Sequence, residues 1–209
     1  LDARGSIRRT SANREGWDEQ LLATWPDWSG DRSPGTYRLF LADLDNNGAL
    51  DLVGSGPGHS RVWLADEQNE FRLVPAALDA EIFSVTDLDN DGQLDLVGLS
   101  DGRSVRMVGR GTRGYHWQVI RPRAQPTAGD QRINSFGVGG DIEIRSGLLT
   151  QKQTIVGTPV HFGLGTRTSI DVARIVWPNG VVQAEFNREA DQVIVAEQRL
   201  KGSCPWVFT

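Results

Sequence analysis

The sequence predicts an all-β fold: a partial β-propeller of two four-stranded blades, preceded by the tail of another blade and followed by a small antiparallel β-sandwich or barrel module. Three observations carry that prediction. Two nine-residue segments, DLDNNGALD at 43–51 and DLDNDGQLD at 87–95, are near copies set 44 residues apart. Each runs into the same apolar strand and glycine, LDLVG, at 50–54 and 94–98. Elsewhere short alternating segments are cut by turn residues, with 24 glycines and 9 prolines in 209 residues, and no stretch keeps a helical period.

In the first copy, strands are expected at 37–42, 50–54, 61–65 and 70–74; in the second, at 81–86, 94–98, 103–108 and 115–120. Four strands in a period of about 40–50 residues is the arithmetic of a propeller blade. Closed propellers have roughly four to eight blades, so two leave the ring incomplete. Residues 1–34, irregular apart from a strand at 17–24, therefore read as the tail of a preceding blade. Residues 35–122 hold the two repeats, 123–200 a separate β module, and 201–209 the start of a further segment. Within the module, strands at 170–177 and 181–186 flank Pro178-Asn179-Gly180, and a run at 193–196 closes the sheet. Asn-Gly between strands predicts a two-residue type I′ turn, with positive φ at both positions.

The chemistry lies in the two repeated loops. Acidic side chains stand at loop positions 1, 3 and 9 in both copies (Asp43, Asp45 and Asp51; Asp87, Asp89 and Asp95). Position 5 is Asn47 in the first and Asp91 in the second, position 6 is Gly48 or Gly92, and position 7 offers the main-chain carbonyl of Ala49 or Gln93. Oxygen ligands at 1, 3, 5 and 7 with a glycine at 6 are the first part of a calcium loop. The candidate ligands are thus Asp43, Asp45, Asn47, Ala49 and Asp51, and Asp87, Asp89, Asp91, Gln93 and Asp95, with Ca2+ as the expected ion. Clustered carboxylates repel one another until a cation binds them. Asp, Asn and Gly are also ordinary turn residues, but two copies in one register, each ahead of a strand, favour calcium. Gly54 and Gly98 stand where an EF-hand carries its twelfth-position Glu, and strands replace its helices. Counted by carboxylates, the second loop is expected to be the tighter site.

Other features exclude function classes. The net charge is −5, from 22 basic and 27 acidic residues. Seven of the acids sit in the two loops, which leaves 20 against 22, so no basic surface marks a nucleic-acid partner. No apolar run approaches the length of a membrane span. The chain starts at Leu1 without a signal peptide, its only methionine is Met107, and the single Cys204 excludes an internal disulfide. Gly98-Leu99-Ser100-Asp101-Gly102 spells G-x-S-x-G, but a nucleophile elbow needs a following helix, and strands flank it here. Gly109 to Gly114 spells G-x-G-x-x-G, again ahead of a strand and not the helix N-terminus that a dinucleotide requires. His59, His116 and His161 have no zinc-ligand spacing; His161 reads as a packed, hydrogen-bonded residue. Trp63, Trp117 and Trp177 read as core, whereas Trp25 and Trp28, in a loop, are the only tryptophans that stand as candidate contacts.

The repeated D-x-D-x-[ND]-G-x-x-D loop before an apolar strand resembles the FG-GAP/VCBS repeats of integrin-like propellers and secreted bacterial proteins. INSFGVGGDIEIRSG at 133–147 and PVHFGLGTRTSIDVARIVWPNGVVQ at 159–183 resemble the ASPIC/UnbV module that trails such repeats, as in the cartilage acidic protein family. Asn47 in the first loop and Val138-Gly139-Gly140-Asp141 depart from the usual pattern. The resemblance implies an extracellular or periplasmic, calcium-binding, non-catalytic scaffold for adhesion or for interaction with a protein or carbohydrate. The alternative is an accessory propeller portion of a larger secreted enzyme whose catalytic residues lie outside these 209 residues.

Overall fold

The computed structural model describes residues 2, 4–26, 28, 30, 35–111, 113–125 and 133–199; every regular element among them is a strand. Cys204, Trp206 and the expected further segment at 201–209 lie outside the described residues. Contacts divide the chain into two units. One comprises Leu1–Asp45 and Ala49–Arg113, the other Asn46–Gly48 and Gly114–Thr209.

In the first unit, β1 (Ser6–Ala12) and β2 (Trp17–Thr24) form a two-stranded hairpin. The sequence reading missed β1 because SIRRTSA carries no alternating apolar face. Next come β3 (Arg38–Ala42), β4 (Asp51–Gly56), β5 (His59–Ala65) and β6 (Phe71–Leu73), an antiparallel sheet in chain order. The third sheet holds β7 (Glu81–Thr86), β8 (Asp95–Ser100) and β9 (Arg103–Met107). None of these sheets closes on itself. They stack as blades do. β4 is buried at all six positions because both its faces are covered. Leu52 points to one side, against Ile7, Ala23, Trp25 and Trp63. Val53 points to the other, against Val62, Ala80, Ile82 and Leu96. Continuous apolar strands are what burial on both faces demands.

Two expectations need correction here. Trp25 is not a surface contact: it is 1% exposed and is the anchor of the first core cluster. A Cβ on Gly54 would lie 2.5 Å from its indole ring, so only glycine there leaves room for it. Trp28 is half-buried beside it, with its ring 4.5 Å from Tyr37. Trp63, Trp117 and Trp177 are core, as expected. The second correction is that the second repeat has three strands, not four. The segment expected to complete it, 115–120, becomes β10 (His116–Arg123) and belongs to the second unit.

That unit is a two-sheet sandwich. β10 lies between β13 (Val160–Gly165), antiparallel to it, and β16 (Gln192–Glu197), parallel to it. The facing sheet runs β12 (Leu149–Thr154), β11 (Asp141–Ser146), β14 (Ser169–Val176), β15 (Val182–Glu189). Side chains from both sheets fill one core, among them Ile120, Ile144, Phe162, Ile175, Trp177 and Ile194. Along β11 the buried Ile142 and Ile144 alternate with Glu143 and Arg145, the period-2 signature of a half-solvated sheet. The β14–β15 connection differs from the expected two-residue turn. Gly180 N–H donates to Trp177 O at 2.8 Å, and Trp177 N–H to Val181 O at 2.8 Å, enclosing three residues. Gly180 has φ 82° and Asn179 keeps a negative φ. This is a type I turn followed by a left-handed glycine, and Pro178 favours it: its ring fixes φ near −65°, which suits the first central position of a type I turn.

Candidate metal centre

Both acidic loops connect the first two strands of their sheets, β3 to β4 and β7 to β8. Their backbones match. The fourth positions, Asn46 and Asn90, both have φ 61°, and the sixth, Gly48 and Gly92, have φ 95° and 80°. The sequence reading named the glycine but missed the asparagine. Asn tolerates the left-handed region better than other side chains, and that was the available signal.

In the first loop, carboxylate oxygens of Asp43, Asp45 and Asp51 come within 4.8 Å of one another. Asp43 and Asp51 are buried, at 3% and 0% exposure. Asp51 also fastens the loop: its Oδ2 accepts from Leu44 N–H at 2.7 Å and its Oδ1 from Ala65 N–H at 2.7 Å. Burial pushes its carboxyl up to about 7, against the pull of those two bonds, with the Asp45 charge adding to the rise. Arg113 Nη1 lies 3.7 Å from Asp45.

The second loop brings together a different trio, Asp87, Asp89 and Asp91, again within 4.8 Å. Asp95 is not in that group. It is 1% exposed and accepts from Leu88 N–H, Gly109 N–H and the Arg106 guanidinium. Arg106 Nη2 bridges Asp89 at 2.5 Å and Asp95 at 2.7 Å. This hydrogen bond, more than charge alone, holds the Asp89 carboxyl below its usual range and raises the guanidinium in turn. Asp87 accepts from Asn90 and Gly92 N–H, and Asp91 from Gln93 N–H, so the loop is folded by its own bonds. Arg106 was missed by the sequence reading. At the 44-residue offset its counterpart is Val62, and that mismatch was the visible signal. The carboxylate count therefore overstates the second loop's free charge. Asn47 and the carbonyls of Ala49 and Gln93 are not carboxylates and stand outside both trios.

The motifs set aside from the sequence fall on strands and turns. Ser100 ends β8, and Asp101 (φ 49°) with Gly102 (φ 73°) makes a type I′ hairpin into β9. The G-x-G-x-x-G run leads into β10. His161 Nε2 lies 2.7 Å from Asn46 Oδ1, within the second unit, and its ring stacks on Trp117.

With this geometry in place, comparison with known families is decisive. Residues 43–98 match the model of the FG-GAP-like repeat, and residues 130–202 that of ASPIC and UnbV. The chain is an FG-GAP-repeat protein with an ASPIC/UnbV module. No curated protein matches it. The FG-GAP match opens on Asp43 and closes on Gly98, so it spans both acidic loops and the strand after each. The ASPIC/UnbV match begins after β10, although β10 is the central strand of one of that unit's sheets. These two modules suggest a propeller-type interaction protein of the kind typically found outside the cytoplasm. No helix among the described residues is long and apolar enough to cross a membrane.

Proposed function

We propose that the protein is a calcium-stabilised, non-catalytic interaction scaffold, extracellular or periplasmic, that engages a protein or carbohydrate. The observation that carries the metal reading is the convergence of three carboxylates in each of two loops with the same backbone turn. The first loop would hold Ca2+ through Asp43, Asp45 and Asp51, assisted by Asn47 and the Ala49 carbonyl. The second would use Asp87, Asp89 and Asp91 with the Gln93 carbonyl, while Asp95 and Arg106 brace it. Calcium there screens mutual repulsion and fixes the turn that joins the first two strands of a blade. The first loop is the tighter site on this reading, because two of its three carboxylates are buried whereas none of the second trio is. Binding displaces the Asp51 proton, so affinity falls as pH drops below about 7.

Calorimetric titration of the chelator-treated protein with CaCl2 tests this. Two sites are expected, with dissociation constants in the range of extracellular modules, about 10⁻⁴–10⁻³ M. Absence of saturable calcium binding at pH 7.5 would leave the loops as metal-free turns and sink the proposal.

A further inference from the structure

We propose that the second unit carries a carboxylate-binding pocket beside β10, built on Arg121, Arg123 and Phe136. The pocket measures about 220 Å³ and is walled by Gly157, Thr158 and Pro159 from the segment before β13. Arg121 and Arg123 stand two residues apart on one strand, so both guanidiniums emerge on the same face. Neighbouring like charges are normally relieved by an acid between them. Glu197 is paired in register with Arg123, yet among the described residues no carboxylate forms an ion pair with either arginine. The Nε of Arg121 is inaccessible to solvent and has no hydrogen-bond partner. A buried donor left unmatched is uncommon and points to a missing acceptor. Arg123 is held in place from the other side, its Cζ 4.8 Å from the centroid of the Phe136 ring.

A planar fork of donors, a stacked guanidinium and one hydroxyl, set in walls that are otherwise apolar, suit a carboxylate on a short apolar stem. The volume is below the roughly 300–1,000 Å³ of drug-sized sites, so it admits one side-chain-sized group. Such a group is either the acidic side chain of a partner polypeptide or a free small acid, and the chemistry of the contact is the same.

The test uses the full chain, ¹⁵N-labelled, and follows the Arg121 Nε–H resonance. The probes are propionate, acetyl-Gly-Glu-Gly-amide, the neutral isostere propionamide and inorganic phosphate. Both carboxylates are expected to shift the resonance saturably with dissociation constants of about 1 mM, and propionamide to leave it unmoved. Arg121→Gln and Arg123→Gln should each weaken carboxylate binding at least tenfold. Arg123→Gln, whose Nε is not a buried unpartnered donor, keeps the test open if Arg121→Gln unfolds. Tighter binding of the tripeptide assigns the pocket to an acidic polypeptide, and tighter binding of propionate to a free acid; either supports the proposal. Equal binding of propionamide, tighter binding of phosphate, or unchanged affinity in folded Arg123→Gln overturns it.

Discussion

His161 shows how much one side chain depends on its enclosure. Its Nε2–H donates to Asn46, while Nδ1 is inaccessible and unpartnered, so the ring is neutral. Burial lowers its pKa from 6.5 to about 4. The unfolded chain therefore binds a proton between those values that the folded chain refuses, and stability must rise with pH there. His161 contributes fully above about pH 6.5, and its contribution is lost as pH falls toward 4. The loss is on the order of 3 kcal/mol. Between pH 4.5 and 7 the raised Asp51 carboxyl acts in the opposite direction in the parent and in His161→Gln alike, so the test is the difference. Denaturant unfolding should show parent stability rising with pH by about that amount more than His161→Gln does; an identical pH slope in both would place the titration elsewhere. Gly180 is the second residue-scale case. A Cβ there would touch nothing within 4 Å, so only its φ of 82° resists substitution. Gly180→Val should cost about 1–2 kcal/mol, seen as a lower unfolding midpoint of the second unit, and Gly180→Asn less.

The acidic loop is the element at which sequence and structure diverge most usefully. Counting charges ranks the loop at 87–95 above that at 43–51. We propose the opposite ranking, because Arg106 stands on β9 and pairs with Asp89 and Asp95, offsetting part of that loop's charge. Asp45→Ala is accordingly expected to lose more calcium-dependent stability than Asp89→Ala, compared by melting curves in calcium and in chelator. Arg106→Met should strengthen calcium binding at the second loop about tenfold in the same titration, at some cost to metal-free stability since Asp95 is left buried with one partner fewer. A weaker second site in Arg106→Met would mean that the guanidinium orders the loop for the ion instead of competing with it.

At the scale of the molecule there are separate cores. The first unit is held by the cluster around Trp25, Leu52 and Trp63 and by the one around Val53 and Ile82; the second by the isoleucine-rich sandwich core. Differential scanning calorimetry should resolve two transitions, and calcium removal should lower chiefly the one belonging to the first unit. Trp25→Ala would empty the pit over Gly54 and cost about 3–5 kcal/mol, again in the first transition. A single transition displaced by both treatments alike would show that the units melt together.

The all-β class, the blade period, the two loops and the start of the sandwich hairpin were all legible in short windows of sequence. Each depends on alternation, turn residues or ligand spacing within about ten residues, and local sterics set those without help. Three features were not legible. Strand β10 belongs to the sandwich and not to the second blade, because it satisfies its edges with β13 and β16, about 40 and 70 residues further along; Gln118 reaches the carbonyl of Gln192 across 74 positions. Trp25 looked like a loop contact until Gly54, on another strand, opened a space for its ring. The roles of Asp51 and Asp95 changed from ligands of equal rank to one buried acid near neutrality and one acid already bound to arginine. In each case the local pattern allows several partners of similar energy. Only packing of the whole chain decides which strand edge, cavity or counter-charge is brought within reach, because burial makes one partner far more stabilising than the others.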